Sequence, residues 1–94
     1  MSVGKSRWDE VGYVISSRYR VLVLERLIEG PATPSRIATD SGSSITHVSR
    51  ALQQLREQSH VELLVSEDRK KGRIYGITGV GRSLWETVKQ KNLG

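Results

Sequence analysis

The chain has 94 residues, 36% of them hydrophobic and 27% charged, the balance of one globular domain over 1–94 rather than of a disordered segment. Fifteen Lys and Arg against ten Asp and Glu leave a net charge of +5, a surplus that suits a polyanionic partner. With no cysteine and only two histidines, His47 and His60, there is no basis for a disulfide framework, a thiolate centre or an all-protein metal site, and no cofactor is expected.

Taken in chain order, Trp8, Val11 and Ile15 form a helical stripe over residues 7–15, weakened by Gly12. Ser16 and Ser17 interrupt it and offer an N-cap for a second helix from Arg18 to Glu29, closed by Gly30 and Pro31. Val23, Leu24 and Leu27 share one side of that helix with Arg20, while Val21, Leu22 and Ile28 occupy others. Such a helix is buried on more than one side. Thr33 and Pro34 read as N-cap and first helical residue of a short helix ending at Ser41, with Ile37 and Ala38 inward and Gly42 as its left-handed stop. Ser44 then caps a fourth helix reaching about Gln58, its apolar stripe being Ile45, Val48, Leu52 and Leu55.

Beyond Ser59 and His60 the pattern turns to strands, residues 61–65 and 73–77, joined by a polar loop. Thr78 caps a last helix over 79–91 carrying Leu84, Trp85 and Val88. Gly79 and Gly81 weaken its start, and the final three residues of the chain are expected to fray.

A short helix, a glycine-containing turn and a longer helix with one apolar stripe make a helix-turn-helix over about 34–58, followed by a two-stranded wing over about 61–78. The expected class is therefore α+β, a mostly helical winged helix-turn-helix with a β-hairpin and N- and C-terminal helices. The second helix of the pair leaves Thr46, His47, Ser49, Arg50, Gln53 and Gln54 free of packing, and no acid occurs between Ser41 and Arg56. A helix lying between two rows of phosphates must avoid carboxylates, whereas Arg reads guanine, Gln reads adenine and Ser or Thr permits close approach. Arg50 has no acid at i,i+4 to claim it, Glu57 being seven residues away. His47 could equally contact nucleic acid or stand solvated. Thr33 and Ser35 could hold a phosphate at a helix start, although capping explains Thr33 as well. In residues 66–73, Arg69, Lys70, Lys71 and Arg73 outnumber Glu67 and Asp68, a basic tip able to follow a phosphate backbone.

The run GPATPSRIATDSGSSITHVSRALQQLREQSHVELL followed by KKGRIYGIT resembles the winged helix-turn-helix transcriptional regulators of the ArsR and MarR type, and most of all their small single-domain archaeal forms. The resemblance covers about Ser17 to Thr78 and implies sequence-specific binding of double-stranded DNA. It places Ser44, Thr46, His47, Ser49 and Arg50 on the recognition helix and residues 69–73 in the wing. Two departures stand out. The cysteine metal-sensing motif of many ArsR members is missing, and Ser59-His60 replaces the glycine usual after the recognition helix, which should strain or re-route the turn into the strand.

Trp8, Val11 and Ile15 at one end and Leu84, Trp85 and Val88 at the other suggest a homodimer packed through the terminal helices; the alternative is that both helices cover the second helix within one subunit. An effector, of unknown chemistry, would then bind at that seam or between wing and core. A winged-helix protein–protein interaction module is the rival function, disfavoured because the free helix face lacks aromatic anchors. An enzyme is not expected, since neither a phosphate-binding glycine loop nor a paired acid and base is present. With no apolar run long enough to cross a bilayer and no apolar leader, a cytoplasmic protein without membrane contact is expected.

Overall fold

The computed structural model describes residues 7–65 and 72–90. The wing residues Arg69, Lys70 and Lys71, with Glu67 and Asp68, and the final three residues expected to fray lie outside the described residues. Five helices and two strands follow one another in the order α1 (Arg7–Ile15), α2 (Arg18–Ile28), α3 (Pro34–Ser41), α4 (Ile45–Glu57), β1 (Val61–Leu63), β2 (Tyr75–Ile77) and α5 (Gly79–Gln90). This is the expected winged helix-turn-helix, mostly helical with one antiparallel hairpin.

Helices α2 to α5 each begin where a hydroxyl accepts from one of the first free N–H groups. Ser17, Thr33 and Ser44 accept from the backbone of Arg20, Arg36 and His47, and the Thr78 hydroxyl accepts from Gly81. The ends of α3 and α4 are built alike. After α3, Ser43 and Gly42 donate to the carbonyls of Ala38 and Thr39, with Gly42 at φ 69°. After α4, His60 and Ser59 donate to those of Leu55 and Arg56, with Ser59 at φ 65°. Both are Schellman turns, which need a left-handed residue. At the second turn a serine adopts the conformation that glycine holds without steric cost.

α2 runs through the middle, touching α1, α3, α4, α5 and β2. Val23, Leu24 and Leu27 are fully buried, and Tyr19, Val21 and Ile28 pack at the margin of the core, while Leu22 is half-buried. Arg20, expected on the apolar face, lays its guanidinium 4.0 Å over the Tyr13 ring and donates to the Tyr13 carbonyl. In α4 the buried line is Val48, Ala51, Leu52 and Leu55. Ile45, expected inward, is 47% exposed: as the first helical residue it falls angularly between Leu52 and Ser49, at the edge of the packed face.

The strands are shorter than the sequence pattern suggests. The register pairs Val61 with Ile77 and Leu63 with Tyr75; beyond it, Leu64 N–H donates to the Ile74 carbonyl at 2.7 Å. On its other edge Tyr75 exchanges backbone hydrogen bonds with Ala32, fastening the segment before α3 to the root of the wing.

α5 closes against α1 and α2. Its start is held to the turn after α4, because Thr78 donates its hydroxyl to the Ser59 carbonyl at 2.7 Å and its N–H to the His60 carbonyl at 3.1 Å. Gly81 is required here rather than merely tolerated, since a Cβ would overlap the His60 carbonyl oxygen. His60 itself is wholly buried, its Nε2 3.0 Å from Glu10 Oε1 of α1.

Within the chain, the terminal helices meet each other and α2. Val11, Leu84 and Val88 are fully buried and Trp85 is nearly so, all within one chain, because the stripe of α5 meets α1 and α2 of its own subunit. Ile15 packs partly buried at the margin. Trp8 points the other way and is 58% exposed, the inward line of α1 being set by Val11 and Val14 instead.

Candidate nucleic-acid interface

The interface is built on α3, the turn at Gly42, and α4. Successive residues of a helix are about 100° apart, so Thr46, Ser49, Arg50 and Gln53 fall on one side of α4, opposite Val48, Leu52 and Leu55. All four are exposed, as are Ser44 and His47. Among the described residues no hydrogen bond or ion pair engages Arg50, and the helix carries no carboxylate before Glu57. The segment therefore offers an uncompensated cation among short donors and acceptors.

One flank of this face opens into a groove of about 560 Å³ between α3, α4 and the wing root. Thr33, Ser35, Ser49, Gln53 and Arg73 line it, together with the exposed Ile45. Five side chains singled out separately along the sequence are thus gathered into one surface. Thr33 serves as the cap of α3, its hydroxyl 3.1 Å from Arg36 N, while Ser35 is exposed beside it.

The opposite flank holds a contact that periodicity does not announce. The His47 imidazole stacks on Tyr19 of α2 with ring centroids 4.3 Å apart and planes within 10°. Its Nδ1 lies 3.0 Å from the Ser44 hydroxyl, so His47 is neither a free solvated imidazole nor near His60, which is buried at the other side of the fold against Glu10. Tyr19 was invisible as a site residue; its one sequence signal is an aromatic ring two places after an N-cap and off the main apolar line of α2.

At the far end of α3 the charges behave differently. Asp40 Oδ2 accepts from Arg26 Nε at 2.8 Å and from Arg36 Nε at 3.2 Å. The Arg26 hydrogen bond, helped by Arg36 and opposed by partial desolvation, holds the Asp40 carboxyl below its ordinary 3.8. Arg26 and Arg36 are thereby engaged internally, whereas Arg50 of α4 has no such partner among the described residues.

The family described as HVO_A0261 N-terminal domain matches residues 8–92. Among solved structures, diamide-treated YodB from B. subtilis superposes with a TM-score of 0.76 at 18% identity, covering 97% of this chain and 91% of that one. A mutant of ZitR from Lactococcus lactis gives 0.71 at 18% identity over 81% of this chain and 52% of its own. A mutant MarR from E. coli, complexed with operator DNA, gives 0.70 at 20% identity over 88% and 65%. The chain thus spans between half and two-thirds of the ZitR and MarR chains, and at these identities the likeness is one of fold. No curated protein sequence matches the chain.

Proposed function

Because the chain belongs to the HVO_A0261 N-terminal domain family, and its fold is shared with transcriptional regulators, we propose that it is a DNA-binding transcriptional regulator that reads duplex DNA with α4. The observation that carries this reading is the exposed, acid-free face of Ser44, Thr46, His47, Ser49, Arg50 and Gln53, standing beside a groove that adds Thr33, Ser35 and Arg73. A helix between two rows of phosphates disfavours carboxylates and needs exposed polar side chains, and α4 has no acid before Glu57 and exposes Thr46, Ser49, Arg50 and Gln53. Basic residues at 69–71 would extend the footprint along the backbone. The protein acts by occupancy, with capture by charge and discrimination by α4, and no catalytic step.

The finer parts of the reading belong to the same proposal: sequence specificity, the closer kinship with small archaeal ArsR-type forms, a single domain over 1–94, a cytoplasmic location, and action as a homodimer on a roughly palindromic site. Of the six residues expected at a dimer seam, Trp8 is the most exposed, at 58%, so pairing would involve the start of α1. No described helix is long and apolar enough to cross a membrane.

Fluorescence anisotropy with a mixed-sequence duplex tests the core claim. Binding at about 50 mM salt is expected, and if roughly six phosphates are neutralised per dimer the slope of log K against log salt is about −5. Failure to bind at that salt would favour a protein-interaction module. Light scattering decides the dimer: a monomer at micromolar concentration removes it.

A further inference from the structure

The Tyr19–His47 stack lies at the margin of the core, where Tyr19 packs, and it orders an exposed side chain. Tyr19 is the second residue of α2 and His47 the third of α4, so the contact joins two helices at their starts. The same imidazole is held at one edge, where Nδ1 is 3.0 Å from Ser44 Oγ, and that oxygen also accepts the His47 backbone N–H at 3.2 Å. A ring face and a ring nitrogen are therefore both occupied. Nε2 has no partner among the described residues.

The chemistry of the cap limits what Nε2 can do. A serine hydroxyl has one proton and two lone pairs, and one lone pair already serves the cap. If the hydroxyl donates to Nδ1, the neutral imidazole carries its proton on Nε2. In the imidazolium, Nδ1–H donates to the hydroxyl and Nε2 again bears a proton. In both arrangements Nε2 presents an N–H donor; a neutral Nδ1–H tautomer, donating to the second lone pair, leaves Nε2 an acceptor, and a phosphate oxygen selects against it.

Its position on the helix indicates the acceptor. His47 lies about 100° around α4 from Thr46, at the flank beside α2, whereas Thr46, Ser49, Arg50 and Gln53 stay within about 60° of one line. An α-helix with side chains is about 10–12 Å thick and the major groove about 12 Å wide, so the central line faces base edges and the flanks face the sugar–phosphate walls.

We propose that Tyr19 is a positioning residue which, with Ser44, fixes the His47 imidazole so that Nε2–H donates to a backbone phosphate of bound duplex DNA. The inference rests on the DNA-binding reading and adds a residue of α2 to it. Phosphate contacts set register and orientation without reading sequence, so the stack would align α4 before its central residues meet the bases.

Two measurements test it. In anisotropy titrations, His47→Ala is expected to weaken binding about fivefold, and by the same factor on every duplex, as the loss of one phosphate hydrogen bond requires. Tyr19→Leu is expected to give a uniform loss of about threefold, while Tyr19→Phe, which keeps the ring, restores wild-type affinity. Nitrogen-15 spectra of the free chain at pH about 8 are expected to place the His47 proton on Nε2 in the wild type and in Tyr19→Phe, and to show mixed tautomers in Tyr19→Leu. Unchanged affinity in both His47→Ala and Tyr19→Leu, a loss confined to one base pair, or a wild-type proton on Nδ1 overturns the inference while leaving the DNA reading intact. Absence of wild-type binding to any duplex overturns the DNA reading, and this inference with it.

Discussion

α3 and α4 are consecutive, pack on each other and end in the same left-handed turn, yet they treat charge in opposite ways. α3 carries Asp40, which draws in Arg36 from its own helix and Arg26 from α2, so the positive charge there is engaged within the fold. α4 has no acid before Glu57, and among the described residues Arg50 meets no partner. Arginine has one chemistry in both places. The presence or absence of a single nearby carboxylate decides whether it serves the fold or remains available to a ligand. A second difference lies at the helix ends, where Gly42 adopts φ 69° as glycines do and Ser59 adopts φ 65° despite its Cβ.

The largest effect is expected from making α4 resemble α3. Ser49→Glu places a carboxylate beside Arg50 on the exposed face, and DNA affinity should fall by about 2 kcal/mol or more, as like charges forced together across an interface do. Thermal stability should scarcely move, Ser49 being exposed. Unchanged affinity would mean that this face does not meet phosphate at all. Next in size, Arg50→Ala should weaken binding by about 1 to 3 kcal/mol and relax discrimination at one base pair, measured over a panel of single-substituted duplexes. An equal loss on every sequence would assign Arg50 to the backbone instead.

The helix ends are compared by stability rather than binding. Ser59→Gly should raise stability by about 1 kcal/mol in chemical denaturation, because glycine takes the left-handed conformation without the steric cost a serine bears. A loss would show that the serine side chain contributes something the turn geometry does not reveal.

The smallest effect concerns Asp40. Its folded-state carboxyl titrates below the ordinary 3.8, chiefly because Arg26 donates to it. A depressed carboxyl stabilises the fold above its unfolded value, and that contribution disappears as pH falls through the lower folded value. Asp40→Asn should therefore melt slightly below wild type at neutral pH, the pair being solvent-screened, and the two should converge in melts taken below about pH 3.8. A gap that persists into acid would assign the difference to something other than this charge.

Much of the helix-turn-helix is legible along the chain because its signals are local. Thr33-Pro34, Gly42 and Ser44 announce helix boundaries through hydrogen bonds to residues three or four places away, and the structure places them there. The acid-free stretch is likewise a property of neighbouring letters. Ser59-His60 signals a strained turn in the same way, and Ser59 has positive φ. Less of the interface was readable. Ile45 fits the apolar stripe of α4 by spacing but lines the groove, because no described element covers the first residue of that helix.

What the order of residues settles is the set of elements and the kind of face each can present, since caps, periodicity and charge exclusion act over a few residues. Which faces meet was decided in three dimensions. Glu10 reaches His60 across 50 residues, Tyr19 finds His47, and Arg26 finds Asp40, each because α2 brings together segments that no local rule connects. The same packing turned four expected seam residues, Val11, Leu84, Trp85 and Val88, inward. A hydrophobic stripe specifies that it must be covered; the helix that covers it is chosen by the shape of the whole chain.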